Sequence, residues 1–196
     1  MARASLRENI VDAALERFHA QGFNGCSVQD ITEAAGAPKG SFYNHFKTKE
    51  LLALEALARY RDDSRMGMLF EGDKPPLKRL RAHFEFLAAR LKGWNFERGC
   101  MIGNFAADMA DDYPVMREAL NETLARWSGA VGSLLRQAQA EGQLAQDRDP
   151  EVLARFLVNS WQGAVTRSRL TKSRAPLDDF LTCAFDLILV RPLIDA

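Results

Sequence analysis

The stretch Ser27-Val-Gln-Asp-Ile-Thr-Glu-Ala-Ala-Gly-Ala-Pro-Lys-Gly-Ser-Phe-Tyr-Asn-His-Phe-Lys-Thr-Lys49 reads as two short helices joined by a tight turn. Val28, Ile31, Ala34 and Ala35 recur at 0, +3, +6 and +7, which lays one apolar stripe along the first helix. Ser27 stands at its N-cap with Asp30 three residues on, a capping-box arrangement with Asp in place of the usual Glu. Gly36 closes the helix, because a helix end favours a residue that tolerates left-handed φ. Pro38 falls at or near the first position of the next helix, where a missing N–H costs nothing. That second helix, expected over 39–46, is short and polar, and Phe42 and Phe46 anchor one side of it.

The other side presents Lys39, Ser41, Tyr43, Asn44 and His45, followed by Lys47 and Lys49. Hydrogen-bonding groups and cations without a carboxylate are what base edges and a phosphate backbone require. The pattern predicts a helix-turn-helix with its second helix in the DNA major groove. Lys39, Tyr43, Asn44 and His45 are expected in or at the groove, and Ser27, Gln29, Ser41, Lys47 and Lys49 on phosphates. The chain as a whole has a net charge of zero, so it is no generic binder of polyanions. The three lysines between 39 and 49, with no acid among them, make the positive charge local, and binding should weaken with salt.

Outward from this stretch the pattern stays helical. Ser5 and Glu8 have capping-box spacing, Ile10, Ala13, Ala14 and Phe18 form a stripe, and Gly22 ends it. This helix should buttress the DNA-reading pair, with Arg7 near a phosphate. Thr48 caps a fourth helix expected over 49–66, and Gly72, Asp73, Pro75 and Pro76 mark a loop. Leu80, Phe84, Leu87 and Leu91 resume the helical period up to Gly93, and 94–99 is an aromatic connector. A brief helix follows over 100–110, then a long one from Pro114 to Glu141. Asp149-Pro150 opens the next, and Pro176 precedes the last, over 177–190. No alternating run signals a strand, so the fold class is all-α. With 196 residues and 47% hydrophobic content the chain can bury a sizeable core in one or two domains. Three scattered cysteines without a C-x-x-C pair point to no metal and no disulfide framework, and no cofactor is implied. No apolar run reaches the length of a membrane span or a signal sequence, so a cytoplasmic protein with no membrane partner is expected.

Gly22-Phe23, Ser27-Val-Gln-Asp-Ile31, Ala34-Ala-Gly36 and Lys39-Gly-Ser-Phe-Tyr-Asn-His-Phe-Lys-Thr-Lys-Glu-Leu51 resemble the DNA-binding domain of the tetracycline-repressor (TetR) family, without a gap over about residues 5–52. The resemblance implies nine helices, a helix-turn-helix domain over 1–50 and a ligand-sensing and dimerisation domain over 51–196. The last two long helices carry apolar residues that fit either an intramolecular core or a subunit interface. The resemblance implies the interface, a homodimer meeting through Phe156, Trp161, Leu177, Phe180, Leu181, Ala184, Phe185 and Ile188 and reading a near-palindromic double-stranded operator.

A DNA-binding domain joined to a larger helical body fits a ligand-controlled switch. Trp94, Phe105, Trp127 and Trp161 are candidate pocket aromatics in that body. Cys100 has two readings: a small buried hydrophobe, or a thiol activated by its place after Arg98-Gly99 at a helix N-terminus. Arg98-Gly-Cys-Met-Ile-Gly103 resembles the branch that includes the electrophile-sensing repressor of N-ethylmaleimide reductase and the acrylate-responsive repressors. That resemblance implies a reactive Cys100 and places Arg169 where the electrophile sensor has a lysine, which keeps the charge but not a titratable amine. The expected partner is therefore a small-molecule or electrophilic inducer. The competing reading is a thiol-dependent enzyme or small-molecule carrier that uses Cys100. Paired catalytic motifs and phosphate loops are lacking, so a non-enzyme is expected.

Overall fold

The computed structural model describes residues 5–190, which form nine α-helices and, among the described residues, no strand. They are α1 (Leu6–Gln21), α2 (Val28–Ala34), α3 (Lys39–Phe42), α4 (Lys49–Asp62), α5 (Pro76–Gly93), α6 (Met101–Met109), α7 (Pro114–Ala140), α8 (Pro150–Thr171) and α9 (Ala175–Thr182). A 3-10 turn, Met66–Leu69, precedes α5, and a π-helical segment, Cys183–Ile188, follows α9.

The helix ends follow local chemistry. The Ser5 side chain accepts from the Glu8 N–H at 3.2 Å and opens α1, which stops at Gly22 with φ +77°. The reciprocal box of Ser27 and Asp30 opens α2, Thr48 accepts from the Leu51 N–H to open α4, and Asp149 accepts from Glu151 and Val152 to open α8. The second helix of the DNA-reading pair is shorter than its expected span of 39–46. After Phe42 the backbone tightens through Asn44 N–H to Ser41 O (3.2 Å) and His45 N–H to Phe42 O (2.9 Å). The tighter turn brings Phe46 inward beside Phe42, with ring centroids 5.8 Å apart. α4 likewise ends at Asp62, short of residue 66.

The described residues fall into two compact units. One takes the chain to Ser64 together with Arg98–Asn121, and the other takes Arg65–Glu97 and the chain from Glu122. The first is wider than the expected 1–50 segment, because α4 and α6 both pack on α1, with Ile10, Ala14, Phe18, Leu52, Ala56 and Phe105 fully buried. The outer ends of the two expected domains, residues 1–4 and 191–196, lie outside the described residues.

The second unit is organised on Phe84, whose ring centroid lies 5.2 Å from that of Trp161, 4.9 Å from Phe180 and 6.4 Å from Phe185. Most of the residues expected at the subunit interface also line this core. Trp161, Leu177, Phe180, Leu181, Ala184 and Phe185 are buried within this unit, and Ile188 is half-buried. Only Phe156 of that set is exposed, at 48%. α8 carries two stripes: Ala154, Leu157, Val158, Trp161 and Val165 face the core, while Val152, Phe156, Asn159, Gly163, Thr166 and Leu170 face out. No helix of the described residues is long and apolar enough to cross a membrane.

His83 on α5 is 1% exposed, and burial pushes its pKa down from 6.5 to about 4. The unfolded chain therefore binds a proton that the folded chain refuses as pH falls below 6.5. Stability should be fully present above that value and lost toward pH 4, at about 1.4 kcal/mol per unit, or roughly 3 kcal/mol in all. Urea unfolding at pH 7 and pH 4 should show that share of the loss in the wild type and its absence in His83→Phe.

Candidate nucleic-acid interface

α3 is held from beneath by Phe42, fully buried, and Phe46, 5% exposed. With those rings inward, Lys39, Tyr43, Asn44, His45 and Lys47 are exposed, Tyr43 at 62%, and Ser41 is half-buried. These side chains come from a segment, 39–47, that contains no acid. Ser27 and Gln29 lie at the exposed start of α2 and are engaged locally. The Ser27 backbone N–H and hydroxyl donate to Asp30 Oδ2 at 2.8 and 2.7 Å, and the Gln29 amide donates to Glu33 at 2.8 Å. The Ser27 backbone N–H first, and its hydroxyl second, hold the Asp30 carboxyl below the usual carboxylate range. The Ser41 hydroxyl donates to Pro38 O at 2.6 Å.

Two cations expected near phosphates also have partners within the protein. Lys49 Nζ donates to Phe23 O at 3.0 Å and to Cys26 O at 2.9 Å, and lies 3.9 Å from the centroid of the Phe23 ring. Its ammonium fastens the α1–α2 turn, leaving it less to offer DNA. Arg7 is paired in a fork with Glu55, at 2.6 Å through Nη1, and lies over the Phe46 ring at 5.0 Å. The Glu55 hydrogen bonds hold the guanidinium pKa above its ordinary value.

Sequence reasoning missed Asp108, which fixes the same turn from α6. Its Oδ2 accepts from the Phe23 N–H at 2.7 Å and the Asn24 N–H at 3.3 Å. Gly22 is required here twice over, by its φ of +77° and because a Cβ would stand 2.5 Å from that carboxylate oxygen. Nothing in local spacing links Asp108 to a turn 85 positions earlier.

The predicted sensor residues are divided between the units. Cys100 and Phe105 belong to the first, and Trp94, Trp127, Trp161 and Arg169 to the second. Cys100 is half-buried at the N-cap of α6, where Tyr60 Oη donates to its Sγ at 3.8 Å. The cation expected to activate it is engaged with an acid, since Arg98 Nη1 is 2.6 Å from Glu16 Oε2. His19 Nε2 donates to Gly99 O at 2.7 Å, so the connector before the thiol is tied to α1. Phe105 packs edge-on against Phe18 with centroids 5.6 Å apart. Trp94 is half-buried beneath the Arg90 guanidinium, and Arg169 is half-buried near the end of α8. An open cleft of about 560 Å³ in the first unit is lined by charged residues including Asp12, Glu16, Arg17 and Arg98, and by none of the sensor set.

Residues 10–56 match the family model for bacterial regulatory proteins of the tetR family, and residues 76–184 match that for the tetracyclin repressor-like C-terminal domain. The chain belongs to the TetR family. It is 36% identical over 192 residues to the HTH-type transcriptional repressor DhaR of Mycobacterium sp. (strain GP1), covering 96% of this chain and 95% of that protein. It is 25% identical to the HTH-type transcriptional repressor NemR of Escherichia coli (strain K12), covering 93% of each. The crystal structure of regulatory protein TetR from Rhodobacter sphaeroides shares its fold with a TM-score of 0.87 at 32% identity, over 93% of this chain and 98% of that one. Members of the family are transcriptional regulators with a DNA-binding N-terminal domain; they bind operators, function as dimers and typically respond to ligands. Both named relatives carry the names of repressors.

The two lysines separate by experiment. Lys47→Met should reduce the slope of log K against log salt by about 1, one lost phosphate contact. Lys49→Met should leave that slope nearly unchanged and instead lower unfolding stability by about 1–3 kcal/mol, as the Phe23 and Cys26 carbonyls lose their donor. Fluorescence anisotropy on a DNA duplex and urea melts read the two effects.

Proposed function

We propose that this protein is a homodimeric repressor that occupies a near-palindromic operator and releases it when a small-molecule inducer binds. The observation that carries the reading is the exposure of Lys39, Tyr43, Asn44, His45 and Lys47, in a segment without an acid, above the two buried rings of Phe42 and Phe46. Lys39, Tyr43, Asn44 and His45 read base edges, and Ser27, Gln29, Ser41 and Lys47 lie toward phosphates. The work is done where the chromosome is, in the cytoplasm, by binding rather than by turnover; the repressor names of the relatives support this. The helix-turn-helix domain is the DNA-reading part, and the chain beyond it senses the inducer and forms the dimer.

The subunits meet through the outward stripe of α8, with Val152, Phe156 and Leu170, joined by Leu187 and Val190 of the last segment. These are large apolar side chains left 44–72% exposed by the core. Gly163 in the middle of that stripe lets two helices approach closely. Such a dimer would set two copies of α3 about one DNA turn, roughly 34–36 Å, apart.

A second reading concerns the signal. Cys100 opens α6 and Asp108 is carried two turns further along the same helix, where it holds the α1–α2 turn. An electrophile adding to the Cys100 thiolate would place a bulky group at the start of that helix and disturb the Asp108 contacts. If α,β-unsaturated carbonyls induce in this way, Cys100→Ser should remain on the operator when they are added while the wild type is released. Equal release of both proteins assigns induction to noncovalent binding.

For the DNA-reading surface, Asn44→Ala should cost about 1–3 kcal/mol on the operator and relax preference at one base pair. Binding to random DNA should change little, as measured by competition anisotropy. Phe156→Asp should convert the protein to a monomer in sedimentation at micromolar concentration and abolish tight operator binding. A wild type that sediments as a monomer would overturn the dimer.

A further inference from the structure

Three buried ring nitrogens in the second unit have no hydrogen-bond partner among the described residues: Nδ1 and Nε2 of His83 and Nε1 of Trp127. His83 is 1% and Trp127 6% exposed, so bulk solvent does not satisfy them. Buried polar groups in folded proteins are nearly always paired, and a cluster with no partner among the described residues calls for one beyond them, such as water or a bound molecule. The rings belong to α5 and α7, with centroids 6.0 Å apart and planes at 74°. Phe84 touches both, at 5.6 Å from His83 and 6.1 Å from Trp127, and connects them to the aromatic wall of Trp161 and Phe180.

We infer that His83 and Trp127 are the polar pole of a binding site for a small uncharged molecule bearing a hydroxyl or carbonyl oxygen, with its apolar body against the Phe84 wall. The inference rests on the reading of this protein as an inducible regulator and supplies the chemical class of the inducer. An indole N–H only donates, and a neutral imidazole offers one donor and one acceptor. Together they match an oxygen that accepts from Trp127 or His83 and, in an alcohol, donates back to the imidazole. Burial keeps the imidazole neutral, so it brings no charge for an anion.

The neighbouring cation is directed elsewhere. Arg79 lies one helical turn before His83, and its terminal nitrogens donate to Leu69 O and Gln137 Oε1. Only its Nε lacks a partner. Gln137 is ten residues beyond Trp127 on α7, about 15 Å along the axis, so the guanidinium fork is drawn away from the ring pair.

The test is two-dimensional NMR of the full-length protein, which has three tryptophans and hence three indole N–H signals. Trp127→Phe assigns the relevant one. The probes are benzyl alcohol, cyclohexanone, toluene and benzoate. Benzyl alcohol and cyclohexanone should move the Trp127 signal, with benzyl alcohol binding at least about tenfold more tightly than toluene, the factor expected from about 1.4 kcal/mol of hydrogen bonding. His83→Phe should erase that preference while the other two indole signals keep their positions, which shows that the fold is intact. Equal binding of toluene and benzyl alcohol, a preference for benzoate, or no response to either oxygen compound overturns the inference and leaves ordered water as the partner of the ring nitrogens. Salt-dependent operator binding, measured on the same samples without probes, tests the regulator reading separately.

Discussion

The turn between α1 and α2 depends on two opposite charges gripping one short piece of backbone. Asp108 takes the amides of Phe23 and Asn24, and Lys49 takes the carbonyls of Phe23 and Cys26. Helix ends leave such groups without intrahelical partners, and a turn has no ladder to receive them. Each charge here satisfies two of them at once, and charge-assisted hydrogen bonds are roughly twice as strong as neutral ones. The Phe23 ring, 1% exposed, locks the same turn from inside. The start of the helix-turn-helix is therefore set by α4 and α6, the two helices that carry Lys49 and Asp108.

That constraint makes sense of a recognition helix with only four residues of regular α-helix. Alone it would be far below the length at which helices persist in water. Phe42 and Phe46 clamp it from below, and the capped α2 delivers it across the Gly36 turn. Rigidity of this kind matters because the chain has no net charge to attract DNA over distance. With three lysines supplying the local charge, and one of them occupied by the turn, recognition depends on where the polar side chains are held.

The second unit shows a related economy. α8 serves two surfaces because a helix with apolar residues in two phases can bury one stripe in its own unit and leave the other exposed. The core stripe closes on Phe84. The same aromatic cluster leaves three ring nitrogens unsatisfied, which a core built only for stability would avoid.

Sequence by itself determined the all-α class, the caps at Ser5, Ser27, Thr48 and Asp149, the stop at Gly22, and the polar face of the DNA-reading pair. These follow from interactions within a few residues, where 3.6-residue periodicity and capping chemistry act directly. Which of two apolar stripes on α8 faces inward was open in the sequence, since both satisfy the same period; packing on Phe84 decided it. The roles of Lys49, Arg7 and Asp108 were equally hidden. A lysine near a DNA-reading helix has the same local signature whether its ammonium meets a phosphate or a carbonyl. Only the tertiary structure brings the Phe23 and Cys26 carbonyls within 3.0 Å of Lys49, and only there does the long-range contact with Asp108 exist.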